Sequence, residues 1–186
     1  MKLNIKNMVC DRCILVVSQQ LEQLGYLVTE IQLGSVTIDP SPDQKSLNHI
    51  GLTLKPLGFE LIDDEKSKLI ELIKNAVIEL VHYSDLTEHQ QNIPELLSNK
   101  IHKDYSFLSK LFSESEGITI ERYIIQQKIE KVKEFLEYGE ININEIAYKM
   151  GYSSAAHLSS QFKSVTGISP SKYNTSLTER KSLDSI

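Results

Sequence analysis

The chain has 186 residues, enough for one domain or two small ones. At 40% hydrophobic and 24% charged it is ordinary globular material, which excludes a disordered or fibrous chain. The net charge of −5 counts against a broadly basic nucleic-acid binder, but the acid lies upstream: residues 97–186 carry 12 basic and 11 acidic side chains.

No apolar run reaches the length of a membrane span, and MKLNIKNMVC lacks the apolar core of a signal peptide, so the expected compartment is the cytoplasm. In that reducing setting two cysteines spaced Cys-x-x-Cys point to metal or redox chemistry rather than to a disulfide framework.

Lys2–Lys6 alternates as a strand with Leu3 and Ile5 on one face. After the loop MVCDRC a helical stripe runs through Cys13, Val16, Val17, Gln20, Leu21 and Leu24, and Gly25 ends it. Leu27–Gln32 and Ser35–Asp39 read as strands joined by a tight turn at Leu33-Gly34. A second helix carries Leu47, Ile50, Leu54 and Leu57, Gly58 closes it, and Phe59–Ile62 is a last strand. The order βαββαβ predicts a ferredoxin-like α+β domain over residues 1–63, with two helices on one face of a four-stranded sheet.

The residues Met8-Val9-Cys10-Asp11-Arg12-Cys13, with Gly58-Phe59 before the last strand, resemble the heavy-metal-associated domains of copper chaperones and metal-transporting ATPases. The likeness implies that Cys10 and Cys13 are thiolate ligands for a soft ion such as Cu(I), with Met8 packed beneath the loop. A helix N-terminus favours thiolates, and paired sulfurs select soft metals. Two cysteines with no neighbouring His cannot build a closed four-ligand zinc site locally. Three other readings stay open: Cys13 as core, a thioredoxin-type dithiol on an unsuitable strand order, and a dimerisation or ligand module that keeps the motif.

Residues 64–92 read as a connecting helix and loop. Asp63–Ser67 is a short charged junction, a stripe from Leu69 to Leu80 makes a helix running to about Tyr83, and Ser84–Asn92 is a polar loop. Residues 93–186 are all helical. Ile93–Asn99 is short. Asp104 is the N-cap of a helix carrying Phe107, Leu108, Leu111 and Phe112, ended by Gly117. Thr119–Tyr138 is long, with Tyr123, Ile124, Ile129, Val132, Phe135 and Leu136 inward. Asn144–Met150, Ser153–Val165 and a last helix from Ser169 follow. Two helix-turn-helix units, Ile93–Ser115 and Ile143–Val165, are thus joined by a long linker helix, an arrangement suited to two major-groove faces of one duplex.

Leu108-Ser109-Lys110-Leu111-Phe112, Gly117-Ile118-Thr119, Tyr123-Ile124, Ile146-Ala147-Tyr148-x-Met150-Gly151-Tyr152, Phe162-Lys163 and Gly167-Ile168-Ser169-Pro170-x-x-Tyr173 resemble the DNA-binding domain of the AraC/XylS family of bacterial transcription regulators. The likeness runs from Leu69 to Tyr173. It departs from the family pattern at Lys128 (usually Arg), Val132 (Ala), Leu158 (Phe), Ser160 (often a DNA-reaching Arg) and Asn174 (Arg).

The outward residues of the second reader are Ser154, Ala155, Ser159, Ser160 and Lys163, with His157 at the boundary. Those of the first are Tyr105, Ser106, Ser109 and Lys110, of which Lys110 aligns with a family Arg. Hydroxyls bond several base edges, alanine packs on a thymine methyl, and none of these makes the bidentate contact of Arg or Gln. The expected function is sequence-specific regulation of transcription, tuned by a soft metal or thiol state. The partners are double-stranded DNA and, for a regulator, RNA polymerase; the chain acts as a monomer or homodimer away from membranes. The alternative is a metal-handling protein whose helical part docks on another protein. No enzyme is expected: Ser160-x-x-Lys163 lacks the companion motifs of a serine hydrolase.

Overall fold

The computed structural model describes residues 1–84, 93–173 and 183–185. Of the loop expected over Ser84–Asn92, all but Ser84 falls outside the described residues, as does Asn174. The chain forms two compact units, Met1–Asn75 and Ala76–Ile186.

The first unit runs β1 (Lys2–Lys6), α1 (Asp11–Gln23), β2 (Leu27–Gln32), β3 (Ser35–Asp39), α2 (Gln44–Leu54), β4 (Glu60–Ile62) and the start of α3 (Glu65–Ile78). The sheet order is β2-β3-β1-β4, and every neighbouring pair is antiparallel. Register sets inward residues opposite one another: Leu3 stands opposite Val36 and Ile5 opposite Leu61. Alternation puts Leu3 and Ile5 inward, where Val17 and Leu21 of α1 and Ile50 and Leu54 of α2 join Met8, Val36, Ile38 and Phe59 in one core. Each such aliphatic side chain contributes about 1.5–3 kcal/mol by leaving water.

Asp43 starts α2 by accepting the Ser46 N–H at 2.8 Å. The last member of the expected α2 stripe does not join the core. Residues Lys55–Leu57 wind as a tighter 3-10 turn, which rotates Leu57 off the α-helical face and leaves it 45% exposed. The expected junction at Asp63–Ser67 is also different. Asp64 accepts the Ser67 N–H at 2.8 Å, so these residues are the cap and first turn of α3. Along α3, buried Glu71 accepts the Asn7 N–H at 2.9 Å, and buried Asn75 lies against Gly34 of the β2–β3 turn.

In the second unit α3 passes into a single π-helical stretch, Glu79–Tyr83, which ends where the sequence periodicity ends. Then come α4 (Ile93–Ile101), α5 (Tyr105–Glu116), α6 (Ile120–Tyr138), α7 (Ile143–Lys149), α8 (Ala155–Thr166) and α9 (Pro170–Tyr173). Thr119 caps α6 by accepting the Arg122 N–H at 3.1 Å. The helix buries Tyr123, Ile124, Ile129, Val132 and Leu136 as expected, while Phe135 is only half-buried.

The polar residues of α6 are a surprise. Gln127, Glu130 and Lys133 are buried as well. Gln127 donates to the Tyr123 hydroxyl at 3.1 Å and meets His82 Nε2 at 2.9 Å; Lys133 donates to Glu130 at 2.6 Å. Buried polar side chains need partners, and these contacts supply them for Gln127, Glu130 and Lys133, while the buried Gln126 Oε1 has none among the described residues.

Candidate functional site

Residues 108–123 and 158–173 are two versions of one segment, offset by 50 positions: LSKLFSESEGITIERY and LSSQFKSVTGISPSKY. The structure repeats with them. Leu108 and Leu158 are fully buried, as are Phe112 and Phe162. Gly117 and Gly167 end α5 and α8 in the left-handed conformation, φ 71° and 82°. Tyr123 and Tyr173 each place a ring 5.5 Å from the preceding Phe. Each repeat is therefore an outer helix clamped by its Leu-x-x-x-Phe face, a glycine stop, and a tyrosine returned against that face.

The turn before α8 is strongly specified. Asn142 and Glu145 form a reciprocal capping box at the start of α7. At its other end Lys128 of α6 donates to the Met150 carbonyl at 2.9 Å, with its ammonium 5.4 Å from the Tyr152 ring centroid. Lys128 thus ties the linker helix to the α7–α8 turn, although burial lowers its pKa. Asp104 occupies the N-cap of α5, but its side chain makes no capping bond.

The residues named from sequence fall into two groups. Ser106 and Lys110 on α5, and Ser154, Ser160 and Lys163 at α8, are exposed. Tyr105, Ser109, Ala155 and Ser159 are half-buried. Tyr105 is held inward, its hydroxyl donating to Glu121, and burial together with that carboxylate raises its pKa. Ser154 spends its hydroxyl accepting the His157 N–H at 3.1 Å. Lys110 faces Glu114 at 3.9 Å with 79% and 58% of the two side chains exposed, a pair too solvated to hold the lysine back from a phosphate. Phe107, absent from the outward set read from the sequence, is 48% exposed. Leu108 and Phe112 already fill the inner face, and residue 107 sits one position, about 100°, around the helix from Leu108.

In the first unit Cys10 is the N-cap of α1, and its Sγ lies 3.3 Å from that of Cys13. Cys10 is partly exposed, while Cys13 packs partly buried against the core with Met8 fully buried nearby in the same cluster. Cys10 stands at the helix N-terminus, whereas Cys13 lies one turn in and against the core. Burial pushes the Cys13 thiol up and the Cys10 side chain adds to that, while backbone hydrogen bonds at Val9 and Cys10 oppose it only in part. Among the described residues no cluster of three or more His, Cys, Asp or Glu side chains gathers as a metal site.

Residues 97–176 match a family described as a helix-turn-helix domain. Over 77 residues the chain is 32% identical to the Msm operon regulatory protein of Streptococcus mutans, covering 41% of this chain and 28% of that protein. Over 99 residues it is 33% identical to an uncharacterized HTH-type transcriptional regulator of Staphylococcus aureus, covering 53% of this chain and 13% of the relative. The chain thus spans less than a third of either curated relative's length. The C-terminal domain of AraT, a response regulator from Geobacillus stearothermophilus, shares the fold with a TM-score of 0.51 at 22% identity, covering 62% of this chain and 92% of that one. Among the described residues no helix is long and apolar enough to cross a membrane.

Within the helix-turn-helix domain the outward arcs of α5 and α8 also hold residues that were not singled out from sequence. Ala156 and Ser164 are exposed; His157, placed at the boundary from sequence, is exposed too, its Nδ1 lying 3.2 Å from Ser153 Oγ. The offset of 50 would have found Ala156, because it maps the outward Ser106 onto it.

Proposed function

We propose that this chain is a sequence-specific DNA-binding transcription regulator of AraC/XylS type. Its helix pairs α4–α5 and α7–α8 act as two helix-turn-helix readers, with α5 and α8 in successive major-groove faces. The observation that carries the reading is the repeat: each outer helix is clamped by equivalent residues and turns an equivalent arc away from the core. Ser106 and Lys110 on one arc, and Ser160 and Lys163 on the other, supply hydroxyl and ammonium donors for phosphates and base edges. With few basic residues on the arcs, non-specific binding is weak and the salt slope shallow. Two readers on one chain address both groove faces without a second copy, so monomer and homodimer are both compatible with the reading. RNA polymerase is the partner such a regulator would act on. Selection of binding sites from random duplexes tests this reading; failure to enrich any sequence sinks it.

The first unit we read as a ferredoxin-like domain over residues 1–63 that supplies a signal. Cys10 and Cys13 would hold a soft ion such as Cu(I), since thiolates are the donors such ions select, or would change thiol state. Asn7, three residues before Cys10, gives its N–H to Glu71 of α3 and its side-chain amide to the Gly58 carbonyl at 2.8 Å. A change at the sulfurs therefore has a hydrogen-bonded route to α3. Equal operator affinity, at fixed salt, for the apo, Cu(I)-treated and Cys10→Ser/Cys13→Ser proteins would remove the signalling role and leave DNA binding intact.

A further inference from the structure

The outward arc of α5 has an unusual chemical content. In its first two turns the exposed residues are Ser106, Phe107 and Lys110, because Tyr105 is tied to Glu121 and Leu108 is fully buried. A serine hydroxyl bonds to more than one base edge, and a single ammonium serves as a point charge. Neither discriminates strongly. Phe107 is the large group on this arc, 48% exposed, and its ring carries no donor or acceptor. The apolar feature that base edges present in the major groove is the C5-methyl group of thymine.

We propose that Phe107 reads a thymine methyl, so that the half-site under α5 is specified by an apolar contact instead of a bidentate hydrogen bond. Lys110 lies three residues further along the same face and anchors the helix on the phosphates beside that thymine. The equivalent position of the second reader holds His157, a ring with two nitrogens, so the two half-sites are read by different chemistry on the same scaffold. The inference rests on the DNA-binding reading given above and adds the identity of the base.

The test starts from a duplex selected with the full chain from a random library. Each thymine is replaced in turn by uracil, which removes only the methyl group, and affinity is measured at fixed salt for wild type, Phe107→Leu and Phe107→Ala. Wild type is expected to lose about fourfold at one or two thymines of a single half-site, the worth of one buried methyl group. Phe107→Ala should bind the thymine duplex more weakly by at least that factor and be indifferent to the uracil exchange, with Phe107→Leu in between. Unchanged wild-type affinity at every uracil overturns the inference while leaving DNA binding in place. So does a Phe107→Ala loss that is equal on thymine and uracil duplexes, since that marks a packing role. Enrichment of no duplex at all overturns both readings together.

Discussion

Gly34 holds its backbone at φ 77°, and a Cβ built there would stand 2.1 Å from Asn75 Nδ2. Gly34→Ala is therefore expected to destabilise the first unit by about 1–3 kcal/mol, combining left-handed strain with the clash. In Gly34→Ala/Asn75→Ala the clash disappears and about 1 kcal/mol of backbone strain remains, so a double-mutant cycle by urea unfolding separates the two. Tyr152 poses the opposite problem. Its hydroxyl is buried with no partner among the described residues, and burial raises its pKa. Tyr152→Phe should match or exceed wild-type stability by up to about 1 kcal/mol, because the phenyl ring keeps the packing and sheds an unsatisfied group. The gap should widen above pH ~10, the ordinary tyrosine value, where the unfolded chain loses the proton that the native state retains. Burial of Lys128 acts with the opposite sign, since its lowered pKa lets the unfolded chain bind more protons and stability rise with pH. The difference between the two proteins' pH curves isolates the tyrosine.

At the scale of elements, α6 is the piece on which the helical unit depends. The Lys133–Glu130 pair is 8% and 5% exposed at 2.6 Å, so Lys133→Ala removes a buried charge-assisted hydrogen bond from Glu130 and should lower stability by about 1–3 kcal/mol. Replacing both residues with Met should be close to neutral by the same reasoning, as thermal unfolding will show. None of this was legible in the sequence, where Gln127, Glu130 and Lys133 look like an ordinary solvated face. The strand and helix spans themselves were legible, because period-two and period-3.6 stripes record which face meets the core. Errors arose where the winding changed, as at Leu57 on its 3-10 turn, or where an apolar residue had no room inside, as at Phe107. Contacts distant along the chain, such as Asn7–Glu71 and Gly34–Asn75, leave no local pattern to read. For the site, residue types and helix ends could be placed in advance. What decides whether a side chain turns outward is the partner that holds it, as Glu121 holds Tyr105, and that partner is 16 positions away.

For the whole molecule, a cysteine-bearing α+β unit precedes a helical unit similar to helix-turn-helix domains, and the two are proposed to regulate transcription together. A near-neutral second half with few lysines on its arcs predicts modest affinity, with specificity drawn from both readers at once. The most direct measurement is selection of random duplexes by the full chain, followed by affinity against salt for wild type, Lys110→Ala and Lys163→Ala. The account predicts an enriched site with two elements about one helical turn apart. Each lysine substitution should weaken binding and flatten the log–log salt slope by about 1. Binding that is equal for selected and scrambled duplexes, and unmoved by either substitution, would contradict it.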